Sequence, residues 1–399
     1  MILSDDTIAN LVDILVEREE EVAQKVLRLI AKRIGDIGSL KTTDILKLES
    51  LVKSGADMRK IRKYLSNLTN IQVKEIKKLI DQAARSAYEN SEDYFLLTGV
   101  DYIPYEENKQ LQKIVKTISN QTVKSYQNLS QTRAFMIRDN GRLRPTKMHN
   151  AYVKLLDTAI QASQSGVSDW HKERNNIVHQ LAEQGIKTVE YSPESGRRYI
   201  QATDSATRRL ILDGIRSINQ GVQDEVGKEF GADGKEITVH AYPAPDHAPV
   251  QGHQFTNEEF DKLQNNEEST DVDGNHFKAF KRKIGQWNCR HFTFSIKIGY
   301  AKPNYTNEQL QEILDKNNKG FDYNGKHMTM YECTQMQRKM EREIRKAKRA
   351  YILAKEANTE DLMTEYKDQV KSLTRQYKEF SKACGLSTKP KNLYVEGYK

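Results

Sequence analysis

Two short segments concentrate the side chains that could do chemistry. One reads His240-Ala-Tyr-Pro-Ala-Pro-Asp246-His247-Ala-Pro-Val-Gln251-Gly252-His253-Gln-Phe255, the other Gly285-Gln-Trp287-Asn288-Cys289-Arg290-His291. Three chemistries fit these residue types. In the first, Cys289 and His291, two residues apart on one face of a strand, begin a tetrahedral zinc site that His240, Asp246, His247 or His253 completes. In the second, Cys289 is a nucleophile with His240 or His247 as base and Asp246 or Asn288 as orienter. In the third, the cluster is a structural polar network. There Asp246 and Asn288 bind loop amides, Arg290 pins a carboxylate, buried histidines bridge two loops, and Gly252 permits close backbone approach.

Spacing favours the third. A zinc signature shows two paired ligand sets, and here one loose pair stands beside scattered histidines. A Cys and a His can be paired on paper in any chain this long, so the nucleophile reading has little of its own to carry it. The expectation is a site with no catalytic residue, no cofactor and no metal. Were zinc bound, Cys289, His291 and His247 would be the residues to hold it. Phosphate-binding, zinc-protease and EF-hand motifs are absent, and Gly231-Ala-Asp-Gly234-Lys235 lacks the P-loop spacing. Lys278, Lys281, Arg282 and Lys283, interleaved with Phe277 and Phe280, fit a nucleic-acid backbone or the outer face of a short amphipathic helix.

The elements that must position these segments are mostly helical. Apolar positions at three- and four-residue steps predict a helix from Asp5 that stops at Gly35, then helices opening at Thr43-Asp44, at Asp57 and after Asn70, the last from Ile71 to Ser91. The aromatic and acidic stretch Asp93–Asn108 breaks this pattern. Helix is expected again to about Phe135, followed by a basic turn-rich loop, Arg138 to Pro145, and helices over 149–165 and 168–185. The period then changes to that of strands. A hairpin is expected over 187–200 and a helix from Asp204 to about Phe230, then a strand over Glu236–His240. Asn324-Gly325 marks a second hairpin with a type I′ turn. Two long helices, 331–357 and one capped by Thr359 that stops at Gly385, should form an antiparallel αα-hairpin. The fold class expected is predominantly helical α+β. Its segments are an N-terminal helical module (1–93), a helical segment (94–185), an α+β core with the His/Cys motifs (186–330) and a basic helical hairpin (331–399).

Charge narrows the partners. Of the formal +8, residues 336–399 carry +7, while residues 1–93 balance to zero. Such a run is usually a solvated helix face, and otherwise a surface for nucleic acid or an acidic partner. No apolar run is long enough to span a bilayer, and Met1-Ile-Leu-Ser-Asp-Asp6 shows no basic region ahead of an apolar stretch. Three scattered cysteines make no disulfide framework. These features lead us to expect a soluble chain made in a reducing cytoplasm.

The ordered motifs resemble those of the tailed-phage minor capsid protein family, its minor capsid protein 2 group, and more distantly Mu-type head-morphogenesis proteins. The resemblance rests on Tyr191 to Tyr199, His240, Pro245-Asp246-His247-Ala-Pro-Val-Gln251-Gly252 with Phe255, and Asn288-Cys289-Arg290-His291. It continues through Tyr331, Gln335, Gln337, Arg338, Glu341, Arg342 and Arg345, in order across about 150–385. Where relatives carry a Gly-rich stretch before Asn-Cys-Arg-His, this chain has Arg282-Lys-Ile-Gly285-Gln-Trp287. The resemblance implies a structural virion protein at the portal vertex, assembled in the host cytoplasm and acting in head morphogenesis and DNA packaging or ejection. Its partners would be the portal protein, other capsid proteins and packaged double-stranded DNA. Apart from the resemblance, the C-terminal charge run offers Arg342, Lys346, Lys348 and Arg349 as contacts for DNA or a partner. The competing readings are a virion-delivered metal- or cysteine-dependent hydrolase and a DNA-binding protein using the basic C-terminal helices.

Overall fold

The computed structural model describes residues 5–37, 55–139, 142–165, 170–191, 198–279, 282–285, 289 and 291–398. The helix expected from Thr43-Asp44 lies outside them, as do Asn288, Arg290 and Lys281. The architecture is predominantly helical α+β, as the periodicity predicts. Two compact units form, each from three stretches of chain: one from residues 1–14, 73–126 and 208–333, the other from 15–72, 127–207 and 334–399. Among the described residues no helix is long and apolar enough to cross a membrane.

The unit ending at Lys399 packs helices on a four-stranded antiparallel sheet. Its helical stretches come from α1 (Asp5–Ile37), α2 (Ala56–Glu89), α4 (Lys109–Gln131; α3 is given below), α5 (Met148–Ser165), α6 (Trp170–Gln184), α10 (Met330–Glu356) and α11 (Glu360–Ala383). The strands β1 (Arg133–Asp139), β2 (Arg142–Lys147), β3 (Ile186–Tyr191) and β4 (Arg198–Ala202) lie in the order β2-β1-β3-β4. Ile30, Ile34, Phe135, Tyr152, Leu156 and Leu353 form the centre of its core. A buried ion pair spans it, Arg133 Nη2 lying 2.9 Å from both Glu19 oxygens.

Three local expectations are corrected here. Helix α1 does not stop at Gly35 but runs to Ile37. Gly35 is there for its size, since a Cβ would stand 3.0 Å from the Ala357 backbone. The helices expected on either side of Asn70 are one, α2. Its polar interruption is absorbed by Thr69, whose hydroxyl donates to Leu65 O at 2.9 Å, and by Gln72, which donates to Leu15 O at 2.7 Å. The basic segment after α4 is not a loop but the hairpin β1–β2, with Asp139 opposite Arg142 and Asn140-Gly141 between them in sequence. The unbroken run Ala134, Phe135, Met136 and Ile137, all buried, suits an interior strand, and β1 lies between β2 and β3.

The other unit holds α3 (Glu92–Thr98), α7 (Thr203–Glu229), α8 (Asn257–Gln264), α9 (Asn307–Lys319) and small antiparallel sheets. β5 (Gly234–Ile237) is central, flanked by β6 (Gln254–Thr256) and β9 (Thr293–Ile296); β7 (Ser269–Thr270) pairs with β8 (His276–Phe277), and β10 (Phe321–Tyr323) with β11 (Lys326–Met328). The acidic aromatic stretch after α2 packs as a cluster: Tyr88 stacks on Tyr102 at 5.2 Å and Tyr94 on Phe230 at 5.2 Å. Helix α7 comes close to α4 because Gly214 and Gly221 have no side chain; a Cβ on Gly214 would lie 2.6 Å from Thr122 Cγ2. Its Gln223 side chain accepts the Ser295 N–H at 2.9 Å, satisfying the outer edge of β9.

Candidate functional site

The three-stranded sheet brings the two chemistry-bearing segments together. The segment carrying His240, Asp246, His247, Gln251 and Gly252 leaves β5 and returns as β6, so both its ends are held by the sheet. The segment carrying Cys289 and His291 feeds β9, whose Thr293 pairs with Ile237 of β5. Just beyond the ladder, Thr238 N donates to Phe292 O at 3.0 Å, and Thr238 Oγ1 accepts the Phe292 N–H at 2.9 Å. Ile237, Val250, Phe255, Phe260, Leu263 and Ile284 form an apolar floor. Gly252, at φ 77°, is required: a Cβ would stand 2.4 Å from Leu310 Cδ2 and 2.8 Å from Val239 Cγ2. Leu310 is held there by α9, whose Thr306 and Gln309 form a reciprocal capping box.

At the centre, His247 Nδ1 lies 3.2 Å from Cys289 Sγ, and Sγ lies 3.4 Å from His291 Nδ1. One ligand atom from each of the three side chains lies within 4.8 Å of the other two. The far nitrogen of each ring meets a carbonyl: His247 Nε2 is 2.6 Å from Arg282 O, and His291 Nε2 is 3.3 Å from Gln251 Oε1. Gln251 Oε1 also accepts the His240 N–H at 2.9 Å, and the His240 ring lies 4.5 Å from that of His291. His247, Cys289 and His291 are 0%, 2% and 3% exposed, so no substrate reaches the sulfur in this structure.

The electrostatics follow from burial and neighbours. Burial pushes the Cys289 thiol up, but His247 and backbone donors at Gly285 and His291 outweigh it and hold the thiol below its ordinary value of 9.0. Burial holds His291 well below 6.5, reinforced by His240, His247, Arg282 and Arg216, so its ring is neutral near pH 7. A lowered thiol beside imidazole is the electrostatic setting of a nucleophile, yet the sulfur is sealed from solvent.

Residues expected in the network are placed differently in two cases. The carboxylate of Asp246, expected to bind loop amides, is pinned by Arg282, whose Nε and Nη2 each donate at 2.8 Å. Arg282 therefore belongs to the structural cluster rather than to a free basic face, and the neighbouring His276-Phe277 is strand rather than helix. His253, outside the central trio, bonds Asp271 at 2.7 Å. The spacing gave no sign of Arg216, which is buried and bonds Asp213 at 2.9 Å on the α7 face toward Cys289.

The C-terminal motif residues form a second polar seam, between α10 and α11. Gln337 donates to Ser381 Oγ at 3.0 Å and to Ser387 O at 3.1 Å. Glu341 accepts from Tyr377 at 3.1 Å and from Asn392 at 2.9 Å, and Arg345 donates to Asn392 O at 2.6 Å. Tyr331 N donates to Asn317 Oδ1 at 3.0 Å; Gln335 is exposed and Arg338 half-buried. Of the basic residues considered for DNA, Arg349 pairs with Glu20 at 2.7 Å and Lys346 with Glu183 at 2.8 Å. Lys348 donates to Leu393 O at 2.5 Å, while Arg342 is exposed.

Within this helical α+β chain the reactive side chains at Cys289 are tied to one another and closed off from solvent. The chain matches the family model for phage minor capsid protein 2 over residues 3–382, and it belongs to that family. It is thus a structural protein of a phage capsid, and other phage structural proteins are its partners. No curated protein and no solved structure matches it.

Proposed function

We propose that this chain is a minor head protein that docks at the portal vertex and acts in head morphogenesis and in packaging or ejecting the genome. The observation that carries this reading is the closed cluster at Cys289. In a family of capsid proteins, the residues best suited to chemistry are spent on holding two loops rigid, and the 2% exposure of Cys289 leaves a hydrolase no entry for substrate. The αα-hairpin supports a docking role, because its buried polar seam fixes the register of α10 and α11 and leaves the exposed face of α11 for a partner helix. Three of the four basic residues considered for DNA are engaged within their own unit, so double-stranded DNA is met by the assembled vertex rather than by this helix alone.

Tagged virions test this reading. A label on this chain is expected at one vertex per particle, and particles lacking the chain are expected to contain less DNA or fail to deliver it. Label on every vertex, or normal infectivity without the chain, overturns the proposal.

A further inference from the structure

We propose that His247, Cys289 and His291 bind a zinc ion that staples the 240–252 loop to the strand entering β9. The argument is geometric and concerns protons. His240 N–H needs an acceptor, which fixes the Gln251 amide with its oxygen toward His240 and His291. His291 Nε2 must then carry the proton that this oxygen accepts. In the neutral ring with its proton there, His291 Nδ1 presents a lone pair to Cys289 Sγ at 3.4 Å. On the other side, His247 Nε2 meets the Arg282 carbonyl and carries its proton there, turning Nδ1 to the same sulfur at 3.2 Å.

One thiol proton can satisfy one of these two nitrogens. If His247 instead carries two protons opposite a thiolate, the His291 lone pair still faces a sulfur lone pair. A cation at the centre satisfies all three atoms at once. Zinc with Zn–N of about 2.0–2.1 Å and Zn–S of about 2.3 Å sets nitrogen and sulfur about 3.5 Å apart in a tetrahedron. The observed 3.2 and 3.4 Å are close to that edge. Carbonyl acceptors on the far ring nitrogens are the outer shell that orients metal-binding histidines. Two imidazoles and a thiolate suit zinc, and on binding the thiol proton passes to solvent. His240, 4.5 Å ring to ring from His291, is a further donor beside the trio.

The test uses the untagged full chain, stripped with chelator and then offered zinc or cobalt(II) alone. Expected are one equivalent of retained zinc, a raised unfolding temperature, and with cobalt a thiolate-to-metal charge-transfer band with strong visible absorption of tetrahedral type. Cys333→Ser and Cys384→Ser should keep the band and Cys289→Ser should lose it. Gln251→Leu, which removes an outer-shell acceptor, should weaken zinc binding roughly 10–100-fold. If Cys289→Ser does not fold, the cobalt spectrum of the unmodified chain decides alone. Failure to retain zinc together with no charge-transfer band, or a band that survives Cys289→Ser, overturns the proposal.

Discussion

The Gln251 side-chain oxygen lies 3.3 Å from His291 Nε2, and this one contact orders the centre of its unit. The same oxygen takes the His240 N–H, so a single amide ties the start of one loop to the strand entry of another. Gln251 is 2% exposed, which leaves water no access to either donor. Replacing it with leucine, similar in size, strands two buried donors, each costing roughly 1–3 kcal/mol. Gln251→Leu should therefore lower the urea midpoint markedly while leaving helix content intact. An unchanged midpoint would show that the amide is not what holds the loops.

Gly252 and Gly325 separate two effects that are usually confounded. Both have positive φ, 77° and 76°. A Cβ on Gly325 meets nothing within 4 Å, whereas one on Gly252 runs into Leu310 and Val239. Gly325→Ala should cost only the left-handed backbone penalty, about 1–2 kcal/mol. Gly252→Ala should add an overpacking cost of roughly 1–3 kcal/mol. Denaturation of both variants side by side checks the difference; equal losses would mean α9 yields freely.

These two glycines also show how much the sequence discloses. Asn324-Gly325 announces its own turn, since both φ values are positive, 51° and 76°, as a type I′ hairpin needs, and the two residues sit side by side. The αα-hairpin is equally legible, because its stripes repeat locally and Asn358 and Gly385 take the positive φ of helix ends. Gly35 misleads, because a glycine that stops a helix and one that admits a neighbouring backbone look the same until Ala357 is placed against it. The trio is legible in its residue types, since Cys289, His291 and His247 stand out as the set a metal would use, but nothing in their spacing shows that they meet. His247 and Cys289 are 42 residues apart, and only the pairing of β5 with β9 makes them neighbours. That Arg282 is a partner of Asp246 is likewise a matter of loop path, not residue type.

Asp57 should govern part of the acid stability of its unit. Burial pushes its carboxyl up, but Arg33, donating at 2.8 and 3.2 Å, and the Tyr152 hydroxyl at 2.6 Å outweigh this and hold it below 3.8. A carboxyl lowered by folding contributes its full stability above the ordinary carboxylate range and loses it as pH falls through the lowered value. Asp57→Asn should cost about 1.5–3 kcal/mol near neutral pH, the worth of hydrogen bonds to a charged group. The acid limb of its stability curve should also be shallower. Unfolding titrations from pH 7 down to pH 3 check both; parallel curves for the two proteins would remove Asp57 from the acid response.

Arg342 and Arg349 distinguish a helix face that holds the protein together from one that meets DNA. Arg349 reaches Glu20 at 2.7 Å, a carboxylate that Arg345 also approaches at 3.5 Å, and the pair is only 23% and 14% exposed. Arg342, two turns earlier, stands exposed. Arg349→Gln should destabilise the protein by about 1 kcal/mol or more, since it leaves Glu20 with a weaker partner. Arg342→Gln should stay within about 0.5 kcal/mol of the parent, as surface changes do. A helix that met DNA directly would lose affinity and salt dependence in both variants, because each removes one phosphate-neutralising charge. We expect instead a stability loss confined to Arg349→Gln, with no salt-dependent binding to duplex DNA by the isolated chain to lose. Binding that weakens in parallel with Arg342→Gln, and steepens as salt is lowered, would return this face to nucleic acid.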